Sequence, residues 1–174
     1  MHRQRAIAAS AIAATLLLGA WRSNSLRTSG LGSPAAAAPP DACALLTESD
    51  VTTAIESKSL PGKRLVASSP RACIWSDDPN TAISNRRVTL SIMLPAGFEM
   101  GKSSAGRITI VPVTGIGDDA YYEIFKADSP VLAVRKGGAA FVVRILNGLK
   151  FKALSIEDVK AREAVLGKAA AARL

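Results

Sequence analysis

The stretch TGIGDDAYYE, residues 114–123, concentrates more reactive residue types than any other part of the chain. Gly115 and Gly117 frame it, Asp118 and Asp119 are adjacent, and Tyr121 and Tyr122 are the only two tyrosines. Three chemistries fit such a composition. A phosphate cradle needs a strand, a glycine loop and then a helix whose amides face the anion. Here the downstream residues are strand-like and no G-x-x-G-K-[ST] pattern follows. A metal site would draw on Asp118 and Asp119 with Asp77 and Asp78. With no histidine and no calcium-loop spacing, these carboxylates make a poor ligand set. The third reading is a turn, in which Gly115 and Gly117 supply unusual φ values, Asp118 bonds nearby amides and one tyrosine packs inward. The turn is the reading adopted, and no catalytic, cofactor-binding or metal-ligating residue is assigned.

Nucleophilic catalysis finds no support elsewhere. The single histidine is His2, at the extreme N-terminus, so the remainder of the chain has no Ser–His or Cys–His pair. No S-x-x-K stands in a helical context. Paired-carboxylate hydrolysis needs two acids in one cleft, and the sequence nominates none. Trp75 reads as a core aromatic beside a cystine rather than a sugar platform. Arg86, Arg87, Arg135, Lys136, Arg144, Lys150 and Lys152 fall where they can gather on the solvent face of a sheet. Solvated strand positions are the plainer reading, and an anion-binding patch the sharper one.

The elements that position these residues start after a targeting segment. MHRQR is basic, and the uncharged run Ala6–Trp21 would reach only about 24 Å as a helix, short of a bilayer core of about 30 Å. This is the pattern of a secretory signal, expected over residues 1–37, with cleavage after Ala20 or Ala37 and residues 38–40 as a residual linker. An uncleaved anchor is the alternative. Removing 37 of the 174 residues takes four arginines and no acids, so the net charge falls from +8 to +4. The remaining length suits one domain, residues 41–174. Basic residues are scattered and no base-reading motif occurs, which argues against nucleic acid. Cys43 and Cys73, an even count in an exported chain, predict a disulfide; two buried thiols are the alternative.

Thr47 and Asp50 form a capping-box pattern that predicts a helix to about Ser57, after a short turn at 43–46. LPGKR (60–64) breaks it. Period-two patterns then predict strands at 71–76, 86–94, 107–113, 120–126, 130–136 and 139–146. Pro112 favours an edge position, Gly137-Gly138 a hairpin, and PAGFEMGKSSAGR a loop or a single helical turn. Ser155 and Asp158 open a terminal helix with Glu163 at the rim of its apolar stripe. The order predicts an α+β fold: a curved antiparallel sheet of about five or six strands, with an N-terminal and a C-terminal helix packed on one face. Cys43–Cys73 would staple the first helix to the first strand.

DACALLTESDVTTAI, ACIWS, VTGIGDDAYY and LAVRKGGAAFVVRI together resemble a bacterial family of unknown function, made of small secreted proteins and lipoproteins. The resemblance rests on Asp41, Cys43, Leu45, Leu46, Cys73, Trp75, Gly115, Ile116, Gly117, Asp118 and Ala120, and spans about residues 41–170. Trp21 stands where many members carry a lipobox cysteine. What the resemblance implies is architecture and extracytoplasmic location, with no established activity. The expectation is a non-enzymatic, secreted or periplasmic domain without cofactors, binding a protein, an envelope polymer or a small ligand. A secreted carboxylate-dependent hydrolase and an inhibitor or accessory subunit are the alternatives.

Overall fold

The computed structural model describes residues 39–80, 86–104, 108–125, 130–148 and 152–174. These described residues belong to one compact unit. The predicted signal segment and Lys150 lie outside the described residues. A 3₁₀ turn (Ala42–Ala44) leads to α1 (Glu48–Ile55), β1 (Lys63–Val66), β2 (Ser69–Ser76), β3 (Arg87–Met93) and α2 (Pro95–Lys102). Then follow β4 (Ile108–Val113), β5 (Asp119–Phe125), β6 (Val131–Lys136), β7 (Ala139–Leu146) and α3 (Ile156–Ala171). The fold is α+β. All seven strands join one antiparallel sheet in the order β1-β2-β3-β7-β6-β5-β4.

Seven strands correct the expected five or six. The addition is β1, whose four residues are all exposed, so it carries no buried alternation for a period-two reading to find. The second correction is α2, expected as a loop or a single turn. Gly97 and Gly101 lower its helix propensity, but Pro95 opens it at a position that suits proline. Phe98, with none of its surface exposed, anchors it.

Strand alternation divides the core between two faces. On the first, paired positions run Trp75–Val88–Ile145 and Cys73–Leu90–Val143–Leu132–Tyr122 across the sheet. These residues share one buried cluster with Val51, Ala54 and Ile55 of α1 and Val159, Leu166 and Ala170 of α3. On the second face Phe98 of α2 packs with Tyr121, Ala133 and Ala140. Each fully buried aliphatic side chain contributes about 1.5–3 kcal/mol, so the first face carries most of the apolar stabilisation.

Local chemistry explains the boundaries. Thr47 Oγ1 accepts the Asp50 amide while Asp50 receives the Thr47 amide, a complete capping box. Ser155 caps α3 by accepting from the Asp158 amide at 3.0 Å. Pro112 lies in β4, an edge strand, where a missing N–H costs least. Cys43 and Cys73 are disulfide-bonded with Cα atoms 5.1 Å apart. The bridge reaches the strand expected at 71–76, which is β2, but starts from the 3₁₀ turn rather than from the first helix as expected. Among the described residues no helix is long and apolar enough to cross a membrane.

Candidate functional site

Gly115 and Gly117 have φ of 78° and 61°, the left-handed region that favours glycine. Between them Ile116 is almost fully buried and packs where Gly167 leaves α3 without a side chain. A Cβ on Gly117 would stand 2.4 Å from the Arg135 carbonyl oxygen. The Asp118 amide donates to that same oxygen at 2.8 Å. The Asp118 carboxylate accepts from Lys136 Nζ at 2.9 Å and from the Gly137 amide at 2.7 Å. These bonds, that from Lys136 first, hold its carboxyl below the usual carboxylate range. Residues 115–118 thus plug the core with Ile116 and brace the β6–β7 hairpin with Asp118.

The two tyrosines point to opposite faces. Tyr122 donates to the Lys160 carbonyl of α3, and Tyr121 donates to the Phe98 carbonyl of α2 at 2.9 Å. Burial raises both phenols above their ordinary range, Tyr121 to about 12. Neither is poised for proton transfer near neutrality. Tyr121→Phe leaves the Phe98 carbonyl without its donor and is expected to cost about 1–2 kcal/mol. Chemical denaturation would show this as a lower midpoint at unchanged slope.

The acidic residues are separated and engaged. Asp119 meets Lys102 Nζ at 2.6 Å and Arg135 Nη2 at 3.8 Å, and Arg135 Nε also approaches Glu99 at 3.6 Å. Arg135 lies 5.8 Å from the Phe98 ring centroid. This network fastens α2 over β5 and β6. Glu123, four residues along β5 from Asp119, is about 13 Å away at strand rise. Asp77 and Asp78 follow β2, on the far side of the sheet. Among the described residues no three His, Cys, Asp or Glu side chains converge as a metal site.

Trp75 is 1 % exposed, so its ring offers no sugar platform. It packs with Cys73 beneath Gly62, where an added Cβ would come within 2.6 Å of Trp75 Nε1 and 2.8 Å of Cys73 Sγ.

Of the basic residues singled out above, Arg87, Arg135 and Arg144 share the second sheet face. Arg86 instead donates to the Ile55 carbonyl at 2.8 Å, Lys136 reaches Asp118, and Lys152 is exposed in the approach to α3. The second face has two unequal halves. Toward β5 it is covered by α2, whose Phe98 packs on Tyr121, Ala133 and, at the start of β7, Ala140, and Arg135 and Lys102 pair there with Glu99 and Asp119. Over β1, β2, β3 and β7 the strands contain no acid at all. Lys63, Ile74, Thr89 and Arg144 form one row across these four strands, with Arg87 beside Thr89 and opposite Leu146. Ile74, Arg87, Thr89, Ser91, Val142 and Arg144 are half-buried. Lys63 and Arg144 are about 14 Å apart at three inter-strand spacings. At the β1 end lies a shallow depression lined by Leu60, Pro61, Lys63, Ile74 and Asp78, with room for about one water molecule.

Three residues escaped the sequence reading. Glu163, expected at the rim of α3, is completely buried. Arg162 donates to the Ala54 carbonyl at 2.8 Å and to Glu56 at 2.7 Å, closing the C-terminal end of α1. Arg173 donates to the Leu45 carbonyl at 3.0 Å and pairs with Asp50 at 2.9 Å. Of α3, the capping pattern and the apolar stripe were readable in advance. Comparison with protein-family models, with curated proteins and with solved structures gives no match.

Proposed function

We propose that this chain is an exported, disulfide-stapled, non-enzymatic domain of the bacterial cell envelope that binds an anionic polymer across the β1–β2–β3–β7 half of its second sheet face. The observation that carries this reading is the charge asymmetry of that face. Lys63 and Arg144 stand among half-buried apolar and hydroxyl side chains on four strands free of acids, while the neighbouring half pairs Arg135 and Lys102 with Glu99 and Asp119 under α2. Arginine suits this role because its planar fork meets carboxylate or phosphate bidentately. The spacing of these cations suits an extended chain rather than a compact ligand. Export is supported by the N-terminal pattern and by the cystine, a bond that persists in oxidising compartments. The resemblance to small secreted proteins points the same way.

Binding to a soluble polyanion, polyphosphate or polyglutamate, followed by calorimetry at two ionic strengths, tests the reading. The wild type is expected to bind and to weaken with salt, since charges beyond about 8 Å are screened at 0.15 M. Lys63→Gln with Arg144→Gln should weaken binding about tenfold or more, the factor that roughly 1.4 kcal/mol represents. Lys168→Gln on α3 should not. Equal loss from both variants would remove the face from consideration, and hydrolysis of an envelope substrate would remove the non-enzymatic assignment.

A further inference from the structure

Glu163 stands apart from the proposed binding face. It projects from the middle of α3 toward the sheet's other side and has no exposed surface. The β6–β7 ladder ends at the pair Leu132–Val143, short of Ile145. Glu163 Oε1 accepts the Ile145 amide at 2.9 Å in place of a strand partner, while Oε2 is buried without a hydrogen-bond partner. A carboxylate in that position would hold a full charge under an apolar helix, which is costly unless the charge is paired. The neutral acid fits better.

The groups facing it compensate an ionised form only in part. From β7, Arg144 attracts it, but Arg144 belongs to the opposite sheet face. From β5, Tyr122 is an un-ionised phenol committed to the Lys160 carbonyl. From β6, the Leu132 amide favours the ionised form, as the Ile145 amide does, while the Leu132 and Val134 side chains are apolar. On α3 itself Lys160 pairs with Glu157, and Arg162 pairs with Glu56 beside α1. Desolvation is accordingly the largest influence on the carboxyl and pushes it up from 4.5 to about 8.

We propose that Glu163 makes the seating of α3 proton-dependent: the helix is closed on the sheet while the carboxyl carries its proton and loosens when the carboxyl ionises. The closed state binds this proton more tightly than an open state in which Glu163 meets water. Closure is therefore complete below about pH 4.5 and is progressively lost as pH rises toward about 8. One proton corresponds to about a tenfold rise in the opening constant per pH unit, or about a thousandfold between pH 5 and 8.

Hydrogen-exchange protection factors across pH 5–9, compared between wild type and Glu163→Gln, test this. The expected result is that the α3 amides and the Ile145 amide lose protection with rising pH in the wild type. The central amides of β3 and β7 retain theirs, and Glu163→Gln removes the pH dependence. Three results would overturn it: α3 protection that ignores pH, the same dependence in Glu163→Gln, or parallel loss throughout the sheet. Should Glu163→Gln fail to fold, carbon-detected titration of the wild-type carboxyl decides: a midpoint above 7 supports the proposal and one in the ordinary carboxylate range refutes it.

Discussion

Replacing Cys43 and Cys73 together by alanine is expected to lower stability by about 3–4 kcal/mol. For a domain of this size that corresponds to a fall of about 10–20 °C in Tm. The bridge spans 30 residues of sequence and encloses α1 and β1. In the open chain that loop is free to expand, and the chain-entropy model assigns the cost to that freedom. The native state loses contacts as well. Cys73 is fully buried beside Trp75, and the 3₁₀ turn it holds keeps Ala42, Leu45 and Leu46 in the core. Other fastenings of this region remain, namely Arg162 to Ala54, Arg86 to Ile55 and Arg173 to Leu45. The variant should therefore fold, with α1 less protected than the sheet. Thermal unfolding of the oxidised wild type against the double variant measures the difference. A loss below about 1 kcal/mol would mean the bridge constrains nothing the packing does not already hold.

Gly117→Ala carries a comparable penalty for a different reason, and Gly115→Ala is its control. Both glycines have positive φ, which an alanine adopts at a cost of about 1–2 kcal/mol. At Gly115 nothing lies within 4 Å of an added Cβ, so the conformational cost is all that should appear. At Gly117 the methyl would meet the Arg135 carbonyl oxygen at 2.4 Å and Val134 Cγ1 at 2.8 Å. Backbone cannot swing aside as a flexible side chain can. Either β6 shifts, or the Asp118 amide leaves the Arg135 oxygen and the brace on the hairpin is lost. Adding a typical overpacking cost of about 1–3 kcal/mol, Gly117→Ala should lose about 3 kcal/mol or more against about 1 for Gly115→Ala. Denaturant midpoints of the two variants would show the gap. Equal losses would mean that φ alone governs this turn and that the close approach to β6 is relieved at no cost.

How far the fold was readable follows from where each signal resides. The two capping patterns, Thr47 with Asp50 and Ser155 with Asp158, lie within four residues of sequence, and the helices start where they indicate. β7 alternates Phe141, Val143 and Ile145 inward, and its strand was found residue for residue. β1 was not, because an exposed edge strand has no buried side to imprint a period. Nor was α2, because its two glycines mimic a loop. Gly101 serves packing rather than chain reversal: a Cβ there would fall 2.3 Å from the Tyr121 hydroxyl oxygen. Glu163 looked like a polar residue at a helix rim, and only the Ile145 amide beyond the end of the β6–β7 ladder makes its burial intelligible. Arg162 and Arg173 act on partners 108 and 128 residues away, a distance over which a single sequence carries no pairing signal. The arginines of the second face were visible as a set. Their separation from the acids became visible only once β3 and β7 were seen to be neighbours.

Native mass spectrometry of the protein recovered from the envelope of its own host tests the central claim most directly. The account predicts a processed chain that begins at Trp21 or at Ala38. It should gain about 2 Da on reduction after denaturation, as one cystine requires. Under native conditions it should carry an anionic adduct that salt removes and that the Lys63→Gln, Arg144→Gln variant fails to retain. A full-length chain with free thiols, or an adduct that survives salt and the double substitution, would contradict it.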